Sequence, residues 1–485
     1  MLPHTSTKAQ GLRDVKGGRP KASRPRGTSG ETPQQPEPKA TAVLLPKAPK
    51  TKMKMKKYLL IILACWWLQP AQAQQLTLQE ALNVALKNNF NIALANNNIE
   101  QARINNHIGV AGGLPTIALQ ANDAESITSV NQKLNNGTVI QRSGAAANNL
   151  NANLSIGQIL YNGQRVVATK QRLTELELLS KQQLNTQIQN TLAAVMIQYY
   201  DIVRQQDYER TIREAIRVAE KQVELIKVRK SVGLANNADL FQATIDLNAL
   251  KQNLQSQALV IQNAKADFLN LLNLNPDSTI HINDTIIAER NLQIGSIVDF
   301  IQQNPEIASA DQQIKINELL LKEVAAQRYP TVRATMGYNY VRNQSEAGFT
   351  LLNQNYGPNL GLSVAVPIYN GSALKRQQRV AEIEVKNAKI TREQLLQNLK
   401  TQAIKSYQAY ENILQRLATE KSNYELTQQL LQLTLQRYEL RVATIIEVRE
   451  AQRSFIDAGY RLVNLSYAAK AAEIELKRLG AQLQL

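Results

Sequence analysis

The chain is poor in cysteine, histidine and aromatic residues, and each scarcity excludes a class of protein. One Cys in 485 residues excludes a disulfide framework, and three widely scattered His leave little material for a metal site. Aromatic residues make up 5% of the sequence, which suits long helices better than an ordinary compact core. We therefore expect neither a metal nor any other cofactor.

The sequence also lacks the motifs of common catalytic sites. It contains no Gly-rich phosphate loop, no Gly-x-Ser-x-Gly, no Cys-x-x-Cys and no His-Glu-x-x-His. Carboxylates are numerous at helical spacing, but such residues most often form solvated pairs on a helix surface. We expect no catalytic residues, and we predict that the protein is not an enzyme.

The net charge of +17 is concentrated at the N-terminus. Residues 1–57 hold 14 Lys or Arg against 3 Asp or Glu, and residues 1–52 hold 8 of the 15 prolines. A segment of this composition cannot bury enough apolar surface to offset its ordering entropy, so we expect 1–52 to be a disordered extension. A basic arm that binds nucleic acid is the alternative, but the rest of the chain gives it no support, and we expect no nucleic-acid partner.

A secretory signal peptide follows this extension. Lysines around Met53 and Met55 precede the apolar run 58–68, and Pro70-Ala71-Gln72-Ala73 ends in a small-x-small cleavage site. We predict a signal peptide over 53–73 with cleavage after Ala73. Because a signal begins a chain, we expect translation to start at Met53 or Met55 and residues 1–52 to be a start-site artefact.

Cys65 has two interpretations. It lies in Leu63-Ala64-Cys65, which faintly resembles a lipoprotein cleavage site and would make this residue a lipidation site. The alternative is an apolar residue inside the signal, which we favour because a better cleavage site follows it. The mature chain would then contain no cysteine, which fits an oxidising compartment.

Long helices are predicted from the uneven spacing of Gly and Pro. Neither residue occurs from Gln164 to Val232 or from Ser372 to Ala458, gaps of 69 and 87 residues. A helix across the first gap would be about 100 Å long at about 1.5 Å per residue. Apolar residues at steps of three and four, such as those from Leu184 to Ile202, indicate one buried stripe. These segments are therefore predicted to be coiled-coil-like helices.

Between the helices, the pattern changes to a period of two. Polar and apolar residues alternate as they do in transmembrane strands, which need about 9–11 residues. Turn-rich stretches at about 122–148 and 342–358 separate these segments in pairs, as the loops of two hairpins would. The four predicted strands lie at about 115–121, 149–160, 331–341 and 359–368.

The chain repeats itself after about 208 to 215 residues. Leu154-Ser155-Ile156 returns as Leu362-Ser363-Val364, and Asn89-x-x-Ile92 returns as Asn304-x-x-Ile307. Each half reads helix, strand, loop, strand, long helix, break, helix, which predicts an internal duplication. The predicted domain covers 74–485, with repeat 1 over about 74–275, an equatorial linker over about 276–295 and repeat 2 over about 296–480.

Four strands cannot remain an open sheet in a membrane, because unpaired edge amides in hydrocarbon cost several kcal/mol each. The chain must therefore oligomerise to close a barrel. Two chains would give eight strands and an interior filled by side chains, whereas three would give twelve strands and a water-filled lumen. The sequence thus predicts a mainly α protein with membrane β-strands, in which helices continue the barrel as a tube.

The order of these features resembles the TolC-type outer membrane efflux proteins over residues 75–480. The strand-to-helix turns Tyr161-Asn162-Gly163 and Tyr369-Asn370-Gly371 and the segment 326–330 carry the resemblance. It implies a homotrimer with a twelve-stranded outer-membrane barrel and a periplasmic α-barrel. It also implies an outer-membrane exit duct for efflux or type I secretion, whose partners are a periplasmic adaptor, an inner-membrane transporter and outer-membrane lipid.

The resemblance also places residues at the periplasmic end of the tunnel. Carried over by position, an acidic ring around the aperture falls on Glu447 and Glu450, and linking positions fall on Asp239 and Tyr438. The family commonly has Gly where this chain has Arg441, and one Arg position holds Ala443. The latch is therefore expected to use Arg437 or Arg441 or to be absent. Solvated helix-surface carboxylates are the alternative to the ring.

A second class of protein competes with this interpretation. A secreted or periplasmic coiled-coil structural protein without a pore would explain the helices, but it would leave the alternating strands without a purpose.

The two tip segments, about 230–238 and 438–446, are expected to form the surface that docks the adaptor, with simple helix-hairpin turns as the alternative.

Overall fold

The computed structural model describes residues 74–483, with side chains from Leu76 onward. The predicted N-terminal extension, the signal peptide and Cys65 lie outside the described residues. Within this range the fold is mainly helical, with one four-stranded sheet. The helices are α1 Leu78–Asn88, α2 Phe90–Asn105, α3 Arg165–Ser231, α4 Asn237–Leu271, α5 Ile294–Phe300, α6 Pro305–Ala326, α7 Ala373–Glu439 and α8 Ile445–Leu479. The strands are β1 Gln74–Gln75, β2 Thr116–Lys133, β3 Val139–Tyr161, β4 Ile280–His281, β5 Thr331–Ser345 and β6 Leu352–Ala365.

The helices α3 and α7 are the two long rods that the Gly- and Pro-free gaps predict. Each has 67 residues, which corresponds to about 100 Å. The apolar stripe of α3 is buried at Leu192, Val195, Tyr199 and Ile202. No helix in the described range is long and apolar enough to cross a membrane. The predicted fold class of long helices with four strands per chain is confirmed.

The predicted duplication has a structural counterpart near the middle of the rods. The side chains of Asn89 and Asn304 cap the starts of α2 and α6, respectively. The Asn89 amide donates to the carbonyl of Leu271 at 3.1 Å, and the Asn304 amide donates to the carbonyl of Leu479 at 3.0 Å. Each asparagine therefore joins the start of one helix to the end of the returning helix, once in each half.

The sheet has the order β2-β3-β5-β6, and all its neighbouring strands are antiparallel. The prediction of long turn-rich loops at 122–148 and 342–358 is wrong. Much of each range is strand, because β2 pairs with β3 out to Lys133 and β5 pairs with β6 out to Gln344. Backbone pairing needs no apolar side chains, so these polar stretches continue the two hairpins. The fourth strand ends at Ala365, before Pro367, which cannot donate to a ladder.

A buried ionic cluster holds the linker between the two repeats against α7 and α8. The carboxylate of Glu473, which is 3% exposed, accepts hydrogen bonds from Lys470 and Lys477. It also accepts from the backbone N–H of Glu289 at 2.9 Å, while the Tyr410 hydroxyl donates to the Glu289 carbonyl. These bonds lower the pKa of Glu473, although burial opposes them.

Candidate functional site

The two helix-to-helix breaks at one end of the rods have the same backbone. In the first, the Leu234 N–H donates to the Arg229 carbonyl at 2.8 Å around Gly233, whose φ is +76°. In the second, the Val442 N–H donates to the Arg437 carbonyl at 2.9 Å around Arg441, whose φ is +67°. This is the 6→1 hydrogen bond of the Schellman motif, which closes many helix C-termini around a residue in the left-handed conformation. The departure at Arg441 thus changes the side chain and keeps the turn.

Asp239 and Glu447 occupy equivalent capping positions directly after these breaks. The Asp239 N–H donates to the Asn236 side chain at 2.8 Å, and the Glu447 N–H donates to the Thr444 hydroxyl at 3.2 Å. In return the Glu447 carboxylate accepts from the Thr444 N–H and hydroxyl, both at 3.0 Å. These bonds lower the pKa of Glu447. Each carboxylate therefore completes a capping box at the start of α4 or α8.

The other predicted aperture residues lie around the second break. An oxygen of Glu447 lies 3.8 Å from the Arg437 guanidinium, which also donates to the Val442 carbonyl at 3.2 Å. Arg441 and Glu450 are exposed, and Glu450 follows Glu447 by one helical turn. Tyr438 is buried in the apolar cluster at this end of the rods, and this burial raises the pKa of its hydroxyl, to which the nearby Asp239 carboxylate adds.

Arg229 joins the two breaks, and the sequence interpretation missed it. Its guanidinium lies 4.4 Å from the ring centre of Tyr438 and donates to the carbonyls of Tyr438 and Glu439, the latter at 3.0 Å. Lys221 adds an ion pair to Glu439 at 3.1 Å. Arg229 is the repeat counterpart of Arg437, so the duplication was the signal that could have found it.

The strand-to-helix turns are built alike in the two halves. Gly163 and Gly371 have φ of +69° and +64°, and each is followed by a left-handed residue before the long helix begins. A Cβ on Gly163 would lie 2.7 Å from the Ala326 carbonyl, so only glycine fits there. The carbonyls of Asn162 and Asn370 accept hydrogen bonds from the first N–H of each long helix, and Tyr161 and Tyr369 are exposed.

The sheet has one apolar and one polar face, as the cross-strand register shows. Leu119, Leu154 and Tyr338 share a row on one face, which we call the apolar face. The opposite face, the polar face, consists mainly of small and amide side chains. Over residues 116–126, 147–159, 331–345 and 353–365 of the four strands its residues are Thr116, Ala118, Gln120, Asn122, Ala124, Ser126, Ala147, Asn149, Asn151, Asn153, Ser155, Gly157, Ile159, Thr331, Arg333, Thr335, Gly337, Asn339, Val341, Asn343, Ser345, Asn353, Asn355, Gly357, Asn359, Gly361, Ser363 and Ala365.

Comparison with known proteins gives this geometry a family. The model of the outer membrane efflux protein family matches residues 81–274 and 297–481. Toxin and drug export protein A of Aggregatibacter actinomycetemcomitans is 21% identical over 427 residues, which cover 85% of this chain and 89% of that protein. Outer membrane protein TolC of Vibrio cholerae is 22% identical over 340 residues, 68% of this chain and 76% of that protein.

The fold is also found among solved structures. The crystal structure of the outer membrane protein VceC from Vibrio cholerae superposes with a TM-score of 0.67 at 19% identity, covering 83% of this chain and 96% of that one. A coiled-coil structural protein without a membrane part does not account for these matches. The predicted outer-membrane location and efflux function are confirmed, and the prediction that the chain is not an enzyme agrees with a family of channel proteins. The chain belongs to the outer membrane efflux protein family.

Proposed function

We propose that three copies of this chain close a twelve-stranded barrel in the outer membrane and form the exit duct of a tripartite efflux or type I secretion system. One observation carries the proposal: the sheet has an apolar face, a polar face and two unpaired edge strands, β2 and β6. Unpaired edge amides are costly in hydrocarbon, and joining the β6 edge of one copy to the β2 edge of the next removes them. Three copies leave room for a water-filled lumen.

The helices continue this lumen as a tunnel. Each pair of strands leads through a tight turn directly into a helix of 67 residues, so a barrel of strands passes into a tube of helices about 100 Å long. Exposed Tyr161 ends β3, and exposed Tyr369 follows the end of β6 by four residues; aromatic side chains near these ends suit the headgroup level of outer-membrane lipid. The partners of the tips are a periplasmic adaptor and an inner-membrane transporter, and nucleic acid has no role.

The tips form the aperture of the duct. Arg229 links α3 to the end of α7 through Tyr438, with Asp239, Arg437 and Arg441 around the same breaks. Glu447 and Glu450 add an acidic ring when three copies surround the axis, and a charged ring of this kind favours ions of the opposite sign. Because one Glu447 oxygen is engaged by Thr444 and the other faces Arg437, Glu450 is the freer carboxylate of the two.

The duct is tested with the purified mature chain in detergent and in planar bilayers. We expect a particle of three copies that inserts as discrete channels. A stable monomer that never permeabilises a bilayer would contradict the proposal.

The acidic ring is tested separately. Glu447→Gln combined with Glu450→Gln is expected to reduce the preference for cations, read from the reversal potential in a KCl gradient. Thr444→Ala is the matched control, because it breaks the capping box and leaves the charge of Glu447 in place. If Thr444→Ala reproduces the change, or if the double variant is unaltered, these carboxylates do not form the ring.

A further inference from the structure

The polar face carries a single formal charge over residues 116–126, 147–159, 331–345 and 353–365 of its four strands. Its other side chains are small residues, carboxamides and two aliphatic residues, whereas Arg333 on β5 carries a guanidinium. β5 is the element that follows α6, and Arg333 is the third residue of this strand. It therefore lies at the end of the sheet that joins the helices. A charge at this place has no part in the apolar membrane surface.

Arg333 does not lie where a neighbouring copy would cover it. β5 is an inner strand of the sheet, with β3 on one side and β6 on the other. The residues paired with Arg333 across these strands are Ile159 and Ser363, and neither carries a charge. Arg333 is exposed, and its neighbours on the same face of β5 are Thr331 and Thr335. Its surroundings on the polar face therefore supply no carboxylate to neutralise it.

The guanidinium extends over the neighbouring strand. A Cβ built on Gly157 of β3 would lie 3.6 Å from Nη1 of Arg333, so this arginine lies against a position that has no side chain. Gly157 pairs with Thr335, which places the guanidinium beside the next row into the sheet, away from the helices. The glycine leaves the guanidinium open toward the space in front of the polar face.

We propose that three copies of Arg333 form a ring of positive charge at the helix-side end of the barrel lumen, and that this ring binds anionic solutes there. The inference rests on the proposed closure of three sheets into a barrel. Guanidinium groups match phosphate and carboxylate geometry, and rings of basic side chains select anions in other pores. The Debye length at physiological salt is about 8 Å, so the field of the ring extends about that far from the guanidinium groups into the lumen.

The ring is tested by a polyanion added from the barrel side, because a solute on that side reaches Arg333 without passing the tip. Inositol hexakisphosphate is added to the bilayer chamber that faces the hairpin loops, and block of the single-channel current is measured at the polarity that drives anions inward. Wild-type channels are expected to be blocked. Arg333→Gln is expected to weaken the block by about tenfold, because it removes three positive charges that face a multivalent anion.

Arg342→Gln is the matched control. Arg342 lies on the same strand but on the apolar face near the other end of the sheet, so its loss should leave the block unchanged. Equal block of wild-type and Arg333→Gln channels would overturn the ring and leave the duct intact. A wild-type protein that stays monomeric and never conducts would overturn the proposed duct and the ring together.

Discussion

At position 441 an arginine occupies a backbone conformation that the first half of the chain gives to a glycine. Gly233 and Arg441 have φ of +76° and +67°, and both turns close with the same hydrogen bonds. A side chain in this left-handed region costs roughly 1–2 kcal/mol, which glycine avoids. The tip around Arg441 therefore carries backbone strain that the tip around Gly233 does not have.

Arg441→Gly should therefore stabilise the second tip. We expect the free energy of local opening to rise by about 1 kcal/mol. Removing the strain of a side chain in the left-handed region gains more free energy than the extra flexibility of glycine in the unfolded chain costs. Hydrogen exchange of the amides around Val442 should slow by roughly fivefold. Gly233→Arg is the reciprocal control and should speed exchange at the first tip. Unchanged exchange in both variants would contradict this account.

The contact between Arg229 and Tyr438 is the second feature at this scale, and it predicts a change in gating. Arg229→Gln removes a charged donor from the carbonyls of Tyr438 and Glu439, which costs the linked arrangement of the tip about 2 kcal/mol. We expect this linked arrangement to be the closed state of the tip. The ratio of open to closed tips should rise by roughly thirtyfold. Single-channel recordings should show longer and larger openings.

Arg217→Gln is the control for this variant. The Arg217 side chain is 74% exposed and pairs only with Glu214 on its own helix among the described residues, so its loss should leave the channel openings as they are in the wild type. An Arg229→Gln channel whose openings match those of the wild type would show that contacts within one chain do not latch the tip.

At the scale of elements, the sequence predicted what depends on neighbours along the chain. Gaps without Gly or Pro indicated α3 and α7, and alternation indicated the inner parts of the strands. The outer ends of the hairpins were missed, because their pairing is made by the backbone and leaves no apolar pattern. Arg229 was missed because its partner lies 209 residues away, and only packing brings the two together.

The ionic cluster around Glu473 gives a prediction for the linker between the repeats. Glu473→Ala leaves Lys470 and Lys477 without their shared carboxylate, and their side chains are only 14% and 29% exposed. Removing one partner of a buried pair costs about 3–5 kcal/mol, so the midpoint of thermal unfolding should fall by several degrees. Glu475→Ala is the control, because its pair with Arg478 is more exposed and should cost less than about 1 kcal/mol.

The same cluster predicts how stability depends on pH. The folded state lowers the pKa of Glu473 from its ordinary value of 4.5. Its contribution is therefore present above that value and is lost as the pH falls through the lower folded pKa. Thermal unfolding between pH 7 and pH 3 should show this loss, and Glu473→Gln should flatten it. An unchanged pH profile in Glu473→Gln would contradict the assignment.

At the scale of the whole molecule, the sheet predicts which strands meet between copies. β2 and β6 are the edges, and they run in opposite directions, so the β6 strand of one copy can pair with the β2 strand of the next. Ala118 lies on the polar face of β2, and Asn359 and Ser363 lie on the polar face of β6. Cysteines at Ala118 and at one of the other two positions should therefore point into the same lumen.

These cysteines test the barrel directly in a Cys65→Ser background, because the chain has no other cysteine. A disulfide needs Cα atoms about 4.4–6.8 Å apart, and the four residues from Asn359 to Ser363 span about 13 Å along a strand, so at most one of the two pairs can form efficiently. Oxidation of that double variant should lock three copies into one covalent trimer on a denaturing gel, whereas each single variant should remain monomeric. Leu119→Cys with Ser363→Cys should not cross-link, because these side chains lie on opposite faces of the sheet. Equal cross-linking of pairs on the same face and on opposite faces would show that the copies meet by random collision, and it would contradict the pairing of β6 with β2 of the next copy.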